Sequence, residues 1–279
     1  MRALRIDSRV LAAALCCLPF GARAQLTQRD TSAQHGALEG TQFFNPRDIT
    51  IVVAATYISI GVAHYDTKIA HYMRSASVQG SDSTLVKQLT NANETTLTLA
   101  SLLSYGVGRA VHSPTVTDVS AHVGEALLLT NVVSQAIRGP FGRARPYVTH
   151  DDNNSDFHVR KGFTSYDFRS LPSLHSASAF AAASALTEEM RERDFGGTWI
   201  VAPVLYSAAA IPGLTRMYLD QHWASDVVMG AFVGAFLGPK VVHHAHTNPR
   251  NRLDRLLLGT TIAPDGHGGY AISWSTNKQ

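Results

Sequence analysis

Cysteine is nearly absent from this chain of 279 residues, since Cys16 and Cys17 are its only two. Both lie within the first 24 residues, a segment that we expect to be removed. The remaining chain then has no cysteine. It uses neither disulfide bonds for stability nor a thiolate for catalysis or metal binding. Its chemistry must therefore come from other side chains.

The first 24 residues have the three parts of a secretory signal peptide. Three arginines precede the apolar stretch Val10–Phe20, and Ala22-Arg23-Ala24 is a small-x-small cleavage site before Gln25. The apolar stretch has 11 residues, whereas a membrane span needs ~20. An uncleaved anchor helix is the alternative interpretation. We predict an exported protein of the periplasm or cell envelope.

The chain after this segment also lacks an excess of charge of either sign. Residues 1–24 hold four of the 24 basic residues and one of the 21 acidic ones, which leaves 20 of each. A basic surface for nucleic acid is therefore not expected. The chain also lacks internal repeats and any Pro/Gly/Ser-rich linker, so residues 25–279 are expected to form one domain.

Apolar patterning predicts an all-α fold, a helical bundle with a short C-terminal β-hairpin. Helices are expected over residues 49–64, 68–76, 84–110, 118–138, 173–191, 199–210 and 222–243. Asp48 is expected to cap the first, and Pro212-Gly213 to end the sixth. In domain terms, 1–24 is the signal peptide, 25–48 an exposed lead-in and 49–246 the helical domain. The tail, 247–279, contains the hairpin strands 256–262 and 270–274.

Long apolar runs are missing too. The four most apolar stretches are only 14 to 17 residues long and contain Gly, Ser, Thr or His: Ile49–Val62, Ala121–Ile137, Trp199–Leu214 and Asp226–Val242. Buried helices of a bundle explain them as well as lipid-facing spans do. Gly230, Gly234 and Gly238, spaced four apart, together with the small residues 177–185, predict a close contact between helices. We expect an exported bundle and leave membrane association open.

The segment Gly139–Leu171 reads as a loop of some 30 residues, which is long unless it is functional. It is a candidate rim over the site described next, with Arg143 as a rim residue. We expect Asp151 and Asp152 to be solvated rather than metal-binding. The histidine-rich stretch His243–His246 is likewise expected to bind no metal.

Three short segments in the second half of the chain combine three guanidinium groups, a hydroxyl, two imidazoles and a carboxylate. They are Arg138-x6-Arg145-Pro146, Pro172-Ser173-Leu174-His175 and Thr215-Arg216-x5-His222-x3-Asp226. One arginine can bind two oxygens of a phosphate in a bidentate contact, and histidine serves as nucleophile or acid near neutral pH. The set suits a site that holds a tetrahedral oxyanion.

These segments resemble the type 2 phosphatidic acid phosphatase (PAP2) superfamily, which also contains class A acid phosphatases and vanadium haloperoxidases. The family pattern is Lys-x6-Arg-Pro, Pro-Ser-Gly-His and Ser-Arg-x5-His-x3-Asp. The chain differs at Arg138, Leu174 and Thr215, and the likeness covers about residues 121–242. It implies that His222 is the nucleophile and His175 the general acid. The phosphate-binding residues would be Arg138, Arg145, Ser173, Leu174 and Arg216.

His222 and Asp226 share one face of a helix because they are four residues apart. We expect Asp226 to accept a hydrogen bond from one ring nitrogen of His222 and to leave the other nitrogen free to attack phosphorus. No metal or other cofactor is expected, because guanidinium groups supply the positive charge. Leu174 keeps a backbone N–H for the phosphate if its φ is negative, as at a helix start.

The sequence therefore predicts a metal-independent phosphatase that acts on a phosphorylated small molecule or a lipid phosphate through a phosphohistidine. One alternative is a vanadium-dependent haloperoxidase, in which vanadate occupies the same residues. Another is a non-catalytic envelope protein that binds lipid phosphate, which Leu174 would favour.

Overall fold

The computed structural model describes residues 42–80, 86, 88–149 and 152–248, and the backbone of 260–264 and 270–274. The predicted signal peptide and residues 25–41 of the predicted lead-in lie outside this part. Within it, the chain is a bundle of helices, which confirms the predicted helical class. The helices are α1 (Pro46–Ala63), α2 (Asp66–Arg74), α3 (Glu94–Ala110), α4 (Pro114–Phe141), α5 (Lys161–Thr164), α6 (Leu174–Glu192), α7 (Thr198–Tyr218) and α8 (Ala224–Thr247).

Two short strands follow the bundle. Strands β1 (Thr260–Pro264) and β2 (Tyr270–Trp274) pair antiparallel, with Ile262 opposite Ile272. The residues that connect them lie outside the described part of the chain, so the hairpin itself stays a prediction.

Helix α1 begins earlier than the sequence pattern predicts. Its N-cap is Asn45, whose side chain accepts from the backbone N–H of Arg47 at 3.0 Å, and proline occupies the first helical position. Asp48 is thus not the cap. It is buried inside the first turn, accepts the backbone N–H of Asn45 at 2.8 Å and pairs with the ammonium group of Lys240 at 2.7 Å. The exposed lead-in accordingly ends before residue 46.

Other predicted boundaries are also wrong. The helix predicted over 84–110 begins at Glu94, and the one predicted from residue 118 begins at Pro114. Helix α4 continues to Phe141 and ends at Gly142, whose φ of 55° is left-handed, so the long loop starts three residues later and contains α5 and a 3-10 turn, Tyr166–Phe168. Helix α7 runs through Pro212 and Gly213 to Tyr218. A proline removes only one helical hydrogen bond, and the lack of a Cβ at Gly213 lets α7 lie against Val227.

The centre of the bundle is a close contact between α6 and α8. Residues 176–185 of α6 are alanine, serine and one phenylalanine, all buried. A Cβ built at Gly230 would lie 2.3 Å from the carbonyl oxygen of Ser173. One built at Gly234 would lie 2.1 Å from the carbonyl oxygen of Ala177. A Cβ built at Gly238 would lie 2.1 Å from the hydroxyl oxygen of Ser184. The predicted close helix contact is confirmed, and it brings together the helix ends that carry two of the three motif segments.

Several outer helices expose apolar side chains. On α1 and α7, Ile49, Tyr57, Trp199 and Val204 are each more than 60% exposed. Helices α1, α7 and α8 are long and apolar enough to cross a membrane by length and composition. The remaining apolar stretch, Ala121–Ile137 within α4, is not apolar enough to count as a candidate span in the described residues. Large exposed apolar surface of this kind marks contact with lipid or protein.

The α6–α8 contact yields a test of stability. Gly234→Ala places a methyl group against the α6 backbone, where no flexible side chain can give way. We expect a loss of about 1–3 kcal/mol of folding free energy, measured as a lower unfolding temperature in detergent by circular dichroism. The matched control is Gly61→Ala in exposed α1, where nothing lies within 4 Å of the added Cβ. It should gain about 0.5–1 kcal/mol, so equal losses in both variants would contradict this packing.

Candidate active site

The bundle brings the three motif segments together at one of its ends. Helix α4 delivers Arg138 in its last turn and α7 delivers Arg216 in its last turn. Helix α6 begins there with Ser173 as its N-cap, and α8 begins there with Asp226 in its first turn. The backbone N–H of Ser173 donates to the Asp226 carbonyl oxygen at 2.9 Å, which ties the two helix starts together.

Two of the arginines meet at one backbone carbonyl. Arg138 donates to the Arg169 oxygen at 2.7 Å through Nη2, and Arg145 reaches the same oxygen at 3.4 Å. Both side chains are buried. The guanidinium of Arg145 also lies over the Tyr166 ring, 4.1 Å from its centroid. This packing holds two like charges side by side at one point of the chain.

The third arginine joins them through a glutamine. The Gln221 side-chain oxygen accepts from Arg216 at 3.1 Å and from Arg145 at 3.2 Å. In the part of the chain that the structure describes, Arg138, Arg145 and Arg216 make no salt bridge with a carboxylate. Their hydrogen-bond acceptors are neutral groups, namely oxygens and, for Arg145, also Nε2 of His222. Three guanidinium groups without a neutralising carboxylate form a site for an anion.

His222 is almost fully buried beside these arginines. Its Nδ1 lies 2.7 Å from the Ser170 carbonyl oxygen, and because a carbonyl only accepts, Nδ1 carries the proton. Nε2 is therefore unprotonated in the neutral ring, and it lies 3.5 Å from Nη1 of Arg145. Burial, with the nearby charge of Arg145, lowers the pKa of His222 well below its usual range, so the ring is neutral at neutral pH.

The predicted hydrogen bond between His222 and Asp226 is not formed. The Asp226 carboxylate is 3.8 Å from Nδ1, and the Ser170 carbonyl takes the ring proton instead. Asp226 accepts the backbone N–H of Trp223 at 2.9 Å and the hydroxyl of Ser170 at 2.5 Å. It thus holds both segments that flank the ring. His222 precedes α8, which begins at Ala224, so the two residues do not share a helix face as the spacing predicted.

His175 lies in the first turn of α6 and is partly exposed. Burial and the charges of Arg216, Arg138 and Arg145 lower the pKa of His175 to about 3. Its Nδ1 lies 3.4 Å from a carboxylate oxygen of Glu94, in the first turn of α3. That oxygen is buried and has no hydrogen-bond partner among the described residues. Glu94 is therefore placed to favour a protonated His175.

Four motif residues lie at the start of α6 or at the end of α7. The hydroxyl of Ser173 and Nε of Arg216 are buried without a hydrogen-bond partner in the described ranges, so both retain a donor. Leu174 is buried at the start of α6 and its φ is not positive, so the leucine fits the helical backbone. Thr215 donates its hydroxyl to the Pro212 carbonyl at 2.8 Å, within α7.

Comparison with known proteins identifies the family. Residues 120–250, which contain every motif residue from Arg138 to Asp226, match the PAP2 superfamily. The chain belongs to this superfamily.

Two relatives of this PAP2 protein are informative. A lipid A 1-phosphatase of Porphyromonas gingivalis is 39% identical over 69 residues, which are 25% of this chain but only 15% of that relative's length. A transmembrane PAP2-type phosphatidylglycerolphosphate phosphatase from Bacillus subtilis is 17% identical. Its alignment covers 72% of this chain and 98% of its own, with a TM-score of 0.48.

Behind the PAP2 motif residues lies a buried charge network that sequence reasoning missed. Arg143 is 4% exposed and not a rim residue. It donates to Asp226 at 2.5 Å and to Asp66 of α2 at 2.8 Å. Asp66 also accepts the backbone N–H of Ser225 at 2.9 Å. Burial alone would lower the pKa of Arg143, but Asp226 and Asp66 raise it above its usual value.

The other missed residues differ in how visible they are in the sequence. Gln221 adjoins His222, and Ser170 lies just before Pro172-Ser173, so their position beside the motif was an available signal. Glu94 and Asp66 lie far from any motif segment. Only the packing of α2 and α3 brings them to the site.

The charge network yields a stability prediction. Arg143→Ala leaves the buried carboxylates of Asp66 and Asp226 without their shared partner. We expect a loss of about 3–5 kcal/mol of folding free energy, measured by thermal unfolding. Arg191→Ala is the matched control, because that side chain is 57% exposed and pairs only with Glu188 in the described residues. Its expected cost is under about 1 kcal/mol, and an equal cost for both would rule out the network's role.

Proposed function

We propose that this PAP2 protein is a metal-independent phosphatase of lipid phosphates that works through a phosphohistidine on His222. The observation that carries the proposal is the unprotonated Nε2 of His222 beside Arg145, which, like Arg138 and Arg216, makes no salt bridge with a carboxylate of the described residues. A neutral, oriented imidazole is a nucleophile, and uncompensated positive charge attracts the phosphoryl group it attacks.

In the first step, Nε2 of His222 bonds to phosphorus while the bond from phosphorus to the leaving oxygen breaks. Arg138, Arg145 and Arg216 hold the other phosphoryl oxygens and stabilise charge as it shifts in the transition state. The free hydroxyl of Ser173 and the backbone N–H groups at the start of α6 add donors for the same oxygens.

His175 supplies the proton to the leaving oxygen. In the empty site its pKa is low because burial and three arginines disfavour the charged ring. A bound phosphate dianion offsets those charges and raises the pKa, so the acid becomes protonated when substrate is present. In the second step the oxygen of water bonds to phosphorus while the bond from phosphorus to Nε2 of His222 breaks. His175 accepts the proton of the water, and inorganic phosphate leaves.

A lipid substrate is favoured by where the site lies. Helices α6 and α8 begin at the site and α4 and α7 end there, so it lies at one end of the bundle. Because α1, α7 and α8 are suited to cross a membrane, that end would lie at the lipid–water interface, where lipid phosphates are. The relatives named as lipid A 1-phosphatase and phosphatidylglycerolphosphate phosphatase support the same substrate class.

The direct test compares hydrolysis of a short-chain phosphatidic acid and of p-nitrophenyl phosphate in excess EDTA. The wild-type chain should release phosphate, and His222→Ala should lose activity by a factor on the order of 10³ or more. His64→Ala, an exposed histidine at the end of α1, is the matched control and should be fully active.

A second readout separates the chemical alternatives. Acid quenching with a ³²P-labelled substrate should trap an acid-labile phosphoenzyme in wild type and not in His222→Ala. Activity that survives in His222→Ala would rule out the phosphohistidine mechanism. Halide oxidation that requires added vanadate would instead make the chain a haloperoxidase, and tight phosphate binding without turnover would make it a binding protein.

Glu94 is expected to act as a positioning residue for His175. Glu94→Gln removes a negative charge 3.4 Å from the ring. This change lowers the pKa of substrate-bound His175, because a carboxylate favours the protonated form. The alkaline limb of kcat should move to lower pH by about 1 unit, with little change in KM. Glu192→Gln, on the exposed end of α6, is the control. A lower unfolding temperature with an unmoved pH profile would reduce Glu94 to a structural residue.

A further inference from the structure

A second polar cluster lies at the end of the bundle opposite His222. It consists of His122 on α4, Glu189 on α6 and His246 on α8. His122 Nδ1 is 2.5 Å, and His246 Nε2 3.1 Å, from the same carboxylate oxygen, Oε1 of Glu189. Asp226 and His246 lie 20 residues apart on α8, which corresponds to about 30 Å along a helix.

We propose that His122, Glu189 and His246 form a binding site for a divalent transition-metal ion, for which Zn²⁺ is the best fit. One nitrogen from each histidine and one oxygen from the glutamate lie within 4.8 Å of one another. Two imidazoles and one carboxylate are a donor set that Zn²⁺ accepts, with water as the fourth ligand of a tetrahedron. Hard ions such as Mg²⁺ and Ca²⁺ prefer oxygen ligands alone.

Burial supports a site rather than a surface coincidence. The side chains of His122 and Glu189 are 6% and 2% exposed, whereas that of His246 is 27% exposed. A buried carboxylate needs compensating charge, and the partly open His246 leaves a path for an ion. The ion would take the place of the protons that the two rings share with Glu189.

Arg193 orients the carboxylate from outside the cluster. Its Nε donates to Oε2 of Glu189 at 2.9 Å, which leaves Oε1 directed at the two histidines. A hydrogen bond to the remote oxygen of a ligating carboxylate is the usual way in which a protein fixes a metal ligand. Arg193 thus directs one oxygen of the glutamate toward the ion.

The consequence of such an ion would be structural. The helices that carry its ligands carry Arg138, His175 and Asp226 at their other ends. An ion that ties α4, α6 and α8 at the far end would raise the free energy of unfolding, because it binds only the folded chain. It takes no part in phosphoryl transfer, so this inference does not depend on the proposed function.

The test uses the full chain, purified in detergent with no histidine tag and stripped with EDTA. Dialysis against buffered Zn²⁺ should leave one Zn²⁺ per chain by mass spectrometry, and saturation should raise the unfolding temperature by roughly 5 °C. His246→Ala, the mildest change to the cluster, should weaken Zn²⁺ binding at least ~100-fold by competition with a chromophoric chelator. His122→Ala and Glu189→Gln should do the same if they fold.

The control is a neighbouring surface group. Glu188, Glu192 and His243 also lie close enough to hold an ion, but His243 and Glu192 are exposed. His243→Ala should therefore bind Zn²⁺ as wild type does. The proposal is overturned if stripped wild type binds no stoichiometric Zn²⁺ and gains no stability. It is also overturned if His243→Ala abolishes binding while His246→Ala retains it.

Discussion

The close contact of α6 with α8 is the constraint on which the site depends. Glycines on α8 lie against the backbone of α6, so the two helices approach more closely than larger side chains would permit. Their first turns are then near enough for the Ser173 N–H to donate to the Asp226 carbonyl. The start of α6, where we propose that phosphate binds, and the segment that carries His222 are held together by this one interface.

The site is built from two kinds of arginine. Arg143 is neutralised by two buried carboxylates, Asp66 of α2 and Asp226 of α8. It thereby holds these two helices and its own loop after α4 in place. Arg138, Arg145 and Arg216 are held by neutral oxygens and keep their charge available. The same side chain thus serves as a structural cross-link or as an anion-binding group, according to whether a carboxylate faces it.

His222, the proposed nucleophile, is oriented without a carboxylate in direct contact. A backbone carbonyl fixes its tautomer, and burial lowers its pKa. Asp226 does not bind the ring but accepts hydrogen bonds from the Ser170 hydroxyl and the Trp223 backbone N–H. An acceptor of zero net charge orients the ring without favouring the imidazolium form as strongly as a carboxylate would, which suits the nucleophilic role that we propose for it.

The sequence alone determined the superfamily and much of the architecture. The motif spacings are local, and positions four apart on a helix share a face whatever surrounds them. The helical class, the PAP2 family and the close packing of Gly230 and Gly234 could therefore be predicted. The continuation of α7 through Pro212 could not, because packing against neighbouring helices outweighs a local breaker.

Only the tertiary structure decided which distant residues meet. Asp66, Glu94 and the cluster of His122, Glu189 and His246 are isolated in the sequence and carry no spacing signal. They come together because helices separated by tens of residues pack with a definite rotation and register. The partner of His222 was decided in the same way. The sequence offers both Asp226 and the backbone of Ser170, and a difference of about an ångström in their distances from Nδ1 selects the carbonyl.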